Sequence, residues 1–566
     1  MRVLIIGGGA AGVTAATRLR RLDENAEIII LEQGDALSVS NCGLLYYLGG
    51  EVRERDELIN TTPEKLKRQY NIDARLNAEV EFINRQEKTV TIKDKGKEYY
   101  DKLVFTIGAY QLRPDIDGVL AEQVFTIRDL ASIERIKNYI KDFEPARAII
   151  VGGGYIGVET AEVLHKLKID TAIVEAADHI LSGDFDNDIA AGIQNLLRGK
   201  GIKIYLNTKV EAFGDKSVSL SNGQKLDYDM AIIATGVKPD LKLSILSDLE
   251  VGETGGLVVN EYMQTSDKDI YAAGDDVEVL HMITRKPVRL SQAGLAVKEA
   301  RVIAEHLAGI SHKFKYALNT SAVQIFGLTA AASGATETKL KAAGTEYEKI
   351  HLYAYSHAGY LPDNRLNLYK LLFDRKGRLL GIQALGNREA VRKTDVTATA
   401  IMTGVPANEL EDLALCYAPP YGNASDAVNT LGTMAENVLN GRVKFVSPFS
   451  GEWEQMAAEA MIIDVRPPEM FEKGHLPHAI NIPQTAIRNN LSSIPQDKPV
   501  VLYCNRSIRA YVAAALLNNR GFDNIYVLSG GLYLYNEIEQ NLREQNQTEA
   551  EYKKKHILPI LSLTVI

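Results

Sequence analysis

One short unit occurs twice in this chain and limits what it can fold into. It is an apolar strand, a turn spaced G-x-G-x-x-G, a helix, a second apolar strand and then an acid. In the first copy residues 3–6 are the strand, Gly7-Gly8-Gly9-Ala10-Ala11-Gly12 the turn, residues 13–22 the helix and residues 27–31 the second strand, with Glu32 as the acid. In the second copy residues 148–151 are the strand, Gly152-Gly153-Gly154-Tyr155-Ile156-Gly157 the turn, residues 158–166 the helix and residues 171–174 the next strand, ending at Glu175. Glycine permits the tight turn and lets backbone approach a pyrophosphate at a helix N-terminus, and the acid accepts hydrogen bonds from ribose hydroxyls. Two copies in one chain predict two dinucleotide sites, which is far more informative than one. Two apolar strands ending in Thr106-Ile107-Gly108 and Thr235-Gly236 each close one nucleotide unit, and a later strand ends at Asp275. Glu175 repels a 2′-phosphate and Ala176-Ala177-Asp178 offers no arginine to bind one, so NADH is favoured over NADPH.

Between the copies lies Ser38-Val39-Ser40-Asn41-Cys42-Gly43-Leu44-Leu45-Tyr46-Tyr47, with one cysteine and no second cysteine near it. A lone cysteine beside a redox cofactor is a candidate electron relay. The three cysteines, Cys42, Cys416 and Cys504, are too few for a disulfide framework and suit a reducing, cytoplasmic compartment. Cys416, just before Tyr417-Ala418-Pro419-Pro420, is expected to be a packed structural thiol. The net charge of −9 argues against general nucleic-acid binding. The N-terminus runs straight into the glycine motif, so no signal peptide is expected. No apolar run reaches the roughly 18 residues of a membrane span. The histidines form no ligand-spaced cluster, so no metal is expected.

Residues 1 to about 440 resemble the flavoprotein disulfide reductases that bind two dinucleotides. The resemblance implies that Gly7, Gly9, Gly12, Glu32, Thr106, Gly108 and Asp275 hold FAD, and that Gly152, Gly154, Gly157, Glu175 and Gly236 hold the nicotinamide dinucleotide. It further implies an FAD domain over 1–111 and 246–318, an inserted NAD domain over 112–245 and a dimerisation domain over 319–442, in a homodimer. The pair C-x4-C of the glutathione-reductase type is absent, since Tyr47 stands five positions after Cys42. One cysteine can still cycle between thiolate and mixed disulfide. Two relatives work that way: oxygen- or peroxide-reducing enzymes, and coenzyme A-disulfide reductases.

The first group carries a histidine in or just after the first glycine turn, and this chain has none there. The second is similar through Arg18-Leu19-Arg20-Arg21-Leu22-Asp23-Glu24, S-x-x-N-C-G, His357-Ala358-Gly359-Tyr360 and Ala418-Pro419-Pro420-Tyr421. This similarity implies that Arg21, Ser38 and Asn41 contact coenzyme A, and that Tyr360 and Tyr421 act with the partner's Cys42. Phenol hydroxyls could stabilise a leaving thiolate. Three departures bear on substrate choice. Leu45 and Leu295 stand where proline is usual, and Leu361 replaces a second tyrosine.

After a linker expected over 443–451 the pattern changes. A strand over 461–466 ends in D-x-R, and a strand over 499–503 leads into Cys504-Asn505-Arg506-Ser507-Ile508-Arg509 and a helix. A strand, a cysteine, a short loop and a helix N-terminus make an anion cradle, which Arg506 and Arg509 reinforce. That setting favours a thiolate and can hold a persulfide. Residues 452–540 resemble a single-domain rhodanese. The C-x4-R loop is one residue shorter than a phosphatase loop. In the tail 541–566, residues 553–566 are basic and then apolar, and the end is expected to be disordered or loosely docked.

The expectation is therefore an α/β chain: two Rossmann-like three-layer domains for FAD and NAD, an α+β dimerisation domain and a C-terminal α/β rhodanese domain. Its expected chemistry is NADH-driven, FAD-dependent reduction of CoA persulfide, polysulfide or CoA disulfide at Cys42, with sulfane sulfur relayed by Cys504. The alternatives are an NADH oxidase or peroxidase of the same fold, or a reductase regulated by a sulfur-sensing rhodanese module.

Overall fold

The computed structural model describes residues 1–240 and 242–545. These divide into two compact units: Met1–Ala176 with Thr208–Ala317, and Ala177–Asn207 with the described residues from Leu318 onward. The tail expected over 541–566 lies outside the described residues from 546 on; residues 541–545 complete the helix Gly531–Gln545.

The first unit is built around two parallel sheets. One has the strand order Ile270–Ala272, Lys102–Phe105, Arg2–Ile6, Glu27–Leu31, Asp73–Arg75. The other aligns Val124–Thr126, Met230–Ile233, Arg147–Val151 and Asp170–Val174. Most of their strands are largely apolar because both faces are covered, and Leu4, Ile5, Ile150 and Ile232 are fully buried. Each such side chain contributes about 1.5–3 kcal/mol on burial. The repeat extends beyond the glycine motifs. Each half carries a three-stranded antiparallel sheet, Val80–Asn84, Thr89–Ile92 and Gly96–Tyr99 in one and Val210–Phe213, Ser217–Leu220 and Lys225–Asp227 in the other. The short strands that follow the two threonine-glycine marks, Ala109–Gln111 and Val237–Pro239, pair antiparallel with each other.

The second unit holds a five-stranded antiparallel sheet in the order Thr320–Ile325, Leu328–Gly334, Leu379–Gly386, Leu366–Phe373, Glu348–Tyr355. Lys370 is fully buried in it. Its ammonium lies 2.8 Å from Asp188, 3.0 Å from Asp186 and 2.5 Å from Glu337. Among the described residues these three carboxylates alone have metal-like spacing, and the lysine occupies their centre. Burial opposes the Lys370 charge, but Asp188, Asp186 and Glu337 outweigh it and hold the group above the usual lysine range.

The C-terminal module has a parallel sheet in the order Phe445–Val446, Ile525–Leu528, Val500–Tyr503, Met461–Asp464, Ile480–Asn481. Phe445–Val446 falls in the stretch expected as linker, yet it pairs with Val527 and Leu528 and adds the edge strand. No helix among the described residues is long and apolar enough to cross a membrane.

Candidate active site

The two glycine turns are built alike. Gly7 has φ +100°, and a Cβ there would stand 2.1 Å from the Thr106 carbonyl oxygen; a Cβ on Gly12 would stand 2.0 Å from the Gly7 oxygen. In the second turn Gly152 has φ +109°, and a Cβ on Gly157 would stand 2.0 Å from the Gly152 oxygen. Gly9 and Gly154 have nothing within 4 Å of a Cβ position, so both turns keep open backbone at the helix start, the space a pyrophosphate needs. Glu32 accepts from the Gly8 and Gly34 N–H groups at 2.7 Å each, and Glu175 accepts from Gly153 N–H at 2.5 Å. A pocket beside Glu32 is lined by Gly7, Leu31, Ala78, Ile107 and Leu243. Thr106 Oγ1 donates to the Ile6 and Gly7 carbonyls, which ties the closing strand to the turn. The residues of each cradle fit a dinucleotide such as FAD or NAD.

Gly108 (φ +82°) donates its N–H to Asp276 Oδ2 at 2.9 Å. Burial pushes both Asp275 and Asp276 above the usual carboxylate range; Arg128, 3.9 Å away, opposes the shift at Asp275. Asp276 was not singled out from sequence, and its adjacency to Asp275 was the only available signal. Gly236 has φ +101° and open space at its Cβ position.

Cys42 is exposed and sits in a single turn of 3₁₀ helix, Asn41–Gly43, that leads into the helix Leu44–Leu48. The preceding backbone is held in place: Ser38 has φ +48°, and Asn60 Nδ2 donates to the Ser38 carbonyl at 2.6 Å and to Ser40 Oγ at 3.0 Å. Asn41 is exposed beside the thiol. The three arginines of the first helix separate by role. Arg18 pairs with Glu305 at 2.6 Å, and Arg20 is buried with its guanidinium on five backbone carbonyls. Arg21 is exposed, which leaves it open to a phosphate-bearing ligand. Leu45 is buried and Leu295 packs against the core, so both departures fill apolar space.

A residue missed from sequence stands near Tyr46, on the helix that packs against Leu44–Leu48. Glu159, on the helix Tyr155–Lys166, has its carboxyl pushed up to about 7 by burial and by the charge of Glu162. Burial also raises the Tyr46 phenol, with smaller contributions from Glu159, Glu162, Glu51 and Cys42. Glu159 lies two residues past the second glycine turn, and only the fold reveals that its helix packs on Leu44–Leu48.

In the second unit the two tyrosine motifs meet. Ala358 N–H donates to the Pro419 carbonyl at 3.2 Å, while Tyr360 and Tyr421 are 76% and 62% exposed. Cys416 is exposed, which corrects the expectation of a packed thiol: the segment around Tyr417 runs along the surface of the unit and leaves no apolar cover over the sulfur.

Cys504 is buried at the C-terminal end of Val500–Tyr503. Its carbonyl accepts from Leu532 N–H and that of Asn505 from Tyr533 N–H. Ser507, with φ +66°, turns the chain into the helix Ile508–Asn518 and donates its hydroxyl to the Leu528 carbonyl at 2.7 Å. Asn505 accepts from Arg466, whose guanidinium is locked on the buried Asp464. Arg506 is half-buried and Arg509 exposed.

Comparison with known proteins finds three family matches along the chain. Residues 1–300 match the pyridine nucleotide-disulphide oxidoreductase family, residues 320–428 its dimerisation domain, and residues 452–538 the rhodanese-like domain. An NADH oxidase of Methanocaldococcus jannaschii is 32% identical over 78% of this chain and 99% of its own length. A coenzyme A disulfide reductase of Staphylococcus haemolyticus is 30% identical over 77% of this chain and its whole length. Two solved structures extend through the C-terminal module. The reduced Bacillus anthracis CoADR-RHD has a TM-score of 0.92 at 36% identity, covering 95% of this chain and 98% of that one. An NAD-dependent persulfide reductase from A. fulgidus has a TM-score of 0.88 at 33% identity, covering 94% of this chain and 100% of that one. The chain belongs to the pyridine nucleotide-disulphide oxidoreductase family and carries that family's dimerisation domain followed by a rhodanese domain.

Proposed function

We propose that the protein uses NADH to reduce sulfur bonded to coenzyme A, at Cys42, and that Cys504 supplies sulfane sulfur to the same carrier. The observation that carries this reading is the exposed, unpaired Cys42 on a braced turn, with the exposed Asn41 and Arg21 available for a phosphate-bearing thiol. The names of two relatives, a coenzyme A disulfide reductase and a persulfide reductase, support it.

The Cys42 thiolate attacks the carrier-side sulfur of CoA persulfide; the S–S bond breaks, hydrosulfide leaves with the electron pair, and a Cys42–CoA mixed disulfide forms. With CoA disulfide the leaving group is CoA thiolate. An electron pair from NADH then restores the Cys42 thiolate and releases CoA. FAD in the first cradle would supply the two-electron link between NADH and sulfur. The acid Glu175 favours NADH over NADPH. Tyr360 and Tyr421 of one subunit stabilise the departing thiolate at Cys42 of the other, in a cytoplasmic homodimer. Cys504 takes up sulfane sulfur as a persulfide and passes it to CoA, whose long arm makes the fusion useful by raising local concentration.

The name of the Methanocaldococcus relative keeps oxygen reduction as a second reading. Both are tested by mixing NADH-reduced enzyme anaerobically with CoA persulfide, CoA disulfide or oxygenated buffer. The expected result is fast turnover with a CoA substrate, lost at least a hundredfold in Cys42→Ser. Undiminished CoA turnover in that variant, or reoxidation by oxygen faster than by either CoA substrate, would sink the reading.

A further inference from the structure

The strand Glu348–Tyr355 is the edge of the antiparallel sheet in the second unit. Alternate residues of a strand share a face, and three on one face each meet a different part of the C-terminal module. His351 Nδ1 lies 2.8 Å from Ser529 Oγ. The Tyr353 ring meets Tyr533 edge-on with centroids 5.8 Å apart. The Tyr355 ring lies under the Arg506 guanidinium at 4.9 Å.

These contacts converge on the sulfur loop. Ser529 follows Leu528, whose carbonyl holds the Ser507 hydroxyl. Tyr533 accepts from Asn505 Nδ2 at 3.3 Å and donates its own N–H to the Asn505 carbonyl. Arg506 belongs to the loop itself. The strand thus reaches loop residue 505 through Tyr533, residue 507 through Ser529 and its neighbour Leu528, and residue 506 directly. Tyr355 is itself fixed, since its carbonyl accepts from Asn423 Nδ2 at 3.1 Å and its backbone pairs with Leu366. A long arginine in a six-residue loop has many rotamers, and a ring under its planar face selects those that keep the charge beside the loop.

We propose that Tyr355 is a positioning residue for sulfur transfer at Cys504: it holds the Arg506 guanidinium where an anionic sulfane-sulfur donor must enter. The inference rests on the reading of Cys504 as a sulfur carrier. With thiosulfate as donor, the Cys504 thiolate attacks the outer sulfur, the S–S bond breaks, sulfite leaves with the electron pair and a persulfide forms. Cyanide then removes that sulfur as thiocyanate and regenerates the thiolate.

The test uses full-length, flavin-loaded protein and the variants Tyr355→Phe, Tyr355→Leu, Arg506→Ala and the Leu/Ala double variant. Two readouts are taken: the KM for thiosulfate with cyanide as acceptor, and the ratio of Cys504 alkylation rates with iodoacetate (an anion) and iodoacetamide (neutral), followed on the Cys504 peptide by mass spectrometry. Tyr355→Phe keeps wild-type values. Tyr355→Leu raises the KM about fivefold with kcat within twofold, and lowers the anion-to-neutral ratio about fivefold. Arg506→Ala does the same, and the double variant adds nothing further. A wild-type ratio in Tyr355→Leu or in Arg506→Ala, or effects that multiply in the double variant, would overturn the proposal. Absence of thiosulfate turnover in wild-type protein would overturn the sulfur-carrier reading instead, while the alkylation ratio would still decide whether Tyr355 acts through Arg506.

Discussion

Glu159 shows what the surroundings of one side chain do to its chemistry. Burial, with the charge of Glu162, pushes its carboxyl up from the ordinary 4.5 to about 7. Folding therefore raises its proton affinity. The stability this confers is fully present below 4.5 and is lost as pH rises through 7, where the charged form sits in a poor environment. Glutamine keeps the shape and has no charge to lose. Glu159→Gln is expected to stabilise the first unit by about 2 kcal/mol above pH 8, a figure reduced for partial exposure, and by little near pH 5. Melting curves at both pH values check this, and an equal shift at both would refute it. Cys42 was legible in the sequence as a cysteine with no second cysteine near it, and the structure leaves it exposed on a turn whose approach Asn60 braces through Ser38 and Ser40. Glu159 was not, because its shift comes first from burial, which the helix's own sequence does not show. Cys416 misled for the same reason, since nothing within its own segment says what covers the sulfur.

Among elements, the glycine turns were the most legible, and the structure gives each glycine a separate reason. Gly12 is small because helix and strand approach each other there: its Cβ would stand 2.0 Å from the Gly7 oxygen and 2.8 Å from Thr106 Oγ1. Gly9 faces open space, so a methyl there would meet nothing in the fold itself. The two should fail differently. Gly12→Ala is expected to lower the melting temperature of cofactor-free protein by several degrees and to abolish flavin retention. Gly9→Ala is expected to leave the cofactor-free melting temperature within a degree or two and still lower bound flavin at least tenfold. Flavin-to-protein absorbance ratios and melting curves of the stripped protein check both, and matching behaviour of the two variants would remove the distinction. The strand Phe445–Val446 illustrates the opposite limit. Two residues carry no periodicity, and only pairing with Val527 and Leu528 makes them a strand.

For the whole molecule the question is how chemistry divides among parts of one polypeptide. Cys42 and both cradles belong to the first compact unit, whereas Tyr360, Tyr421 and the sulfur loop belong to the second. The dimerisation domain carries both tyrosines highly exposed, at 76% and 62%. A phenol that serves only its own fold gains nothing from that exposure, but one that serves a second subunit requires it. If the tyrosines act on the partner's Cys42, mixed dimers separate the two arrangements. One chain carries Cys42→Ser with both tyrosines intact, and the other keeps Cys42 with Tyr360→Phe and Tyr421→Phe. Each homodimer is expected to retain no more than a few per cent of wild-type CoA-disulfide reduction. In the heterodimer, isolated with two affinity tags, action across the interface joins the intact cysteine of one chain to the intact tyrosines of the other. That restores one of two sites and about half of wild-type activity. Action within a chain leaves the remaining Cys42 with its own phenylalanines, and the heterodimer then stays at the level of the homodimers. A few-per-cent rate in purified heterodimer would place the tyrosines with their own chain's cysteine, and wild-type activity in the homodimer carrying Tyr360→Phe and Tyr421→Phe would place them out of the reaction.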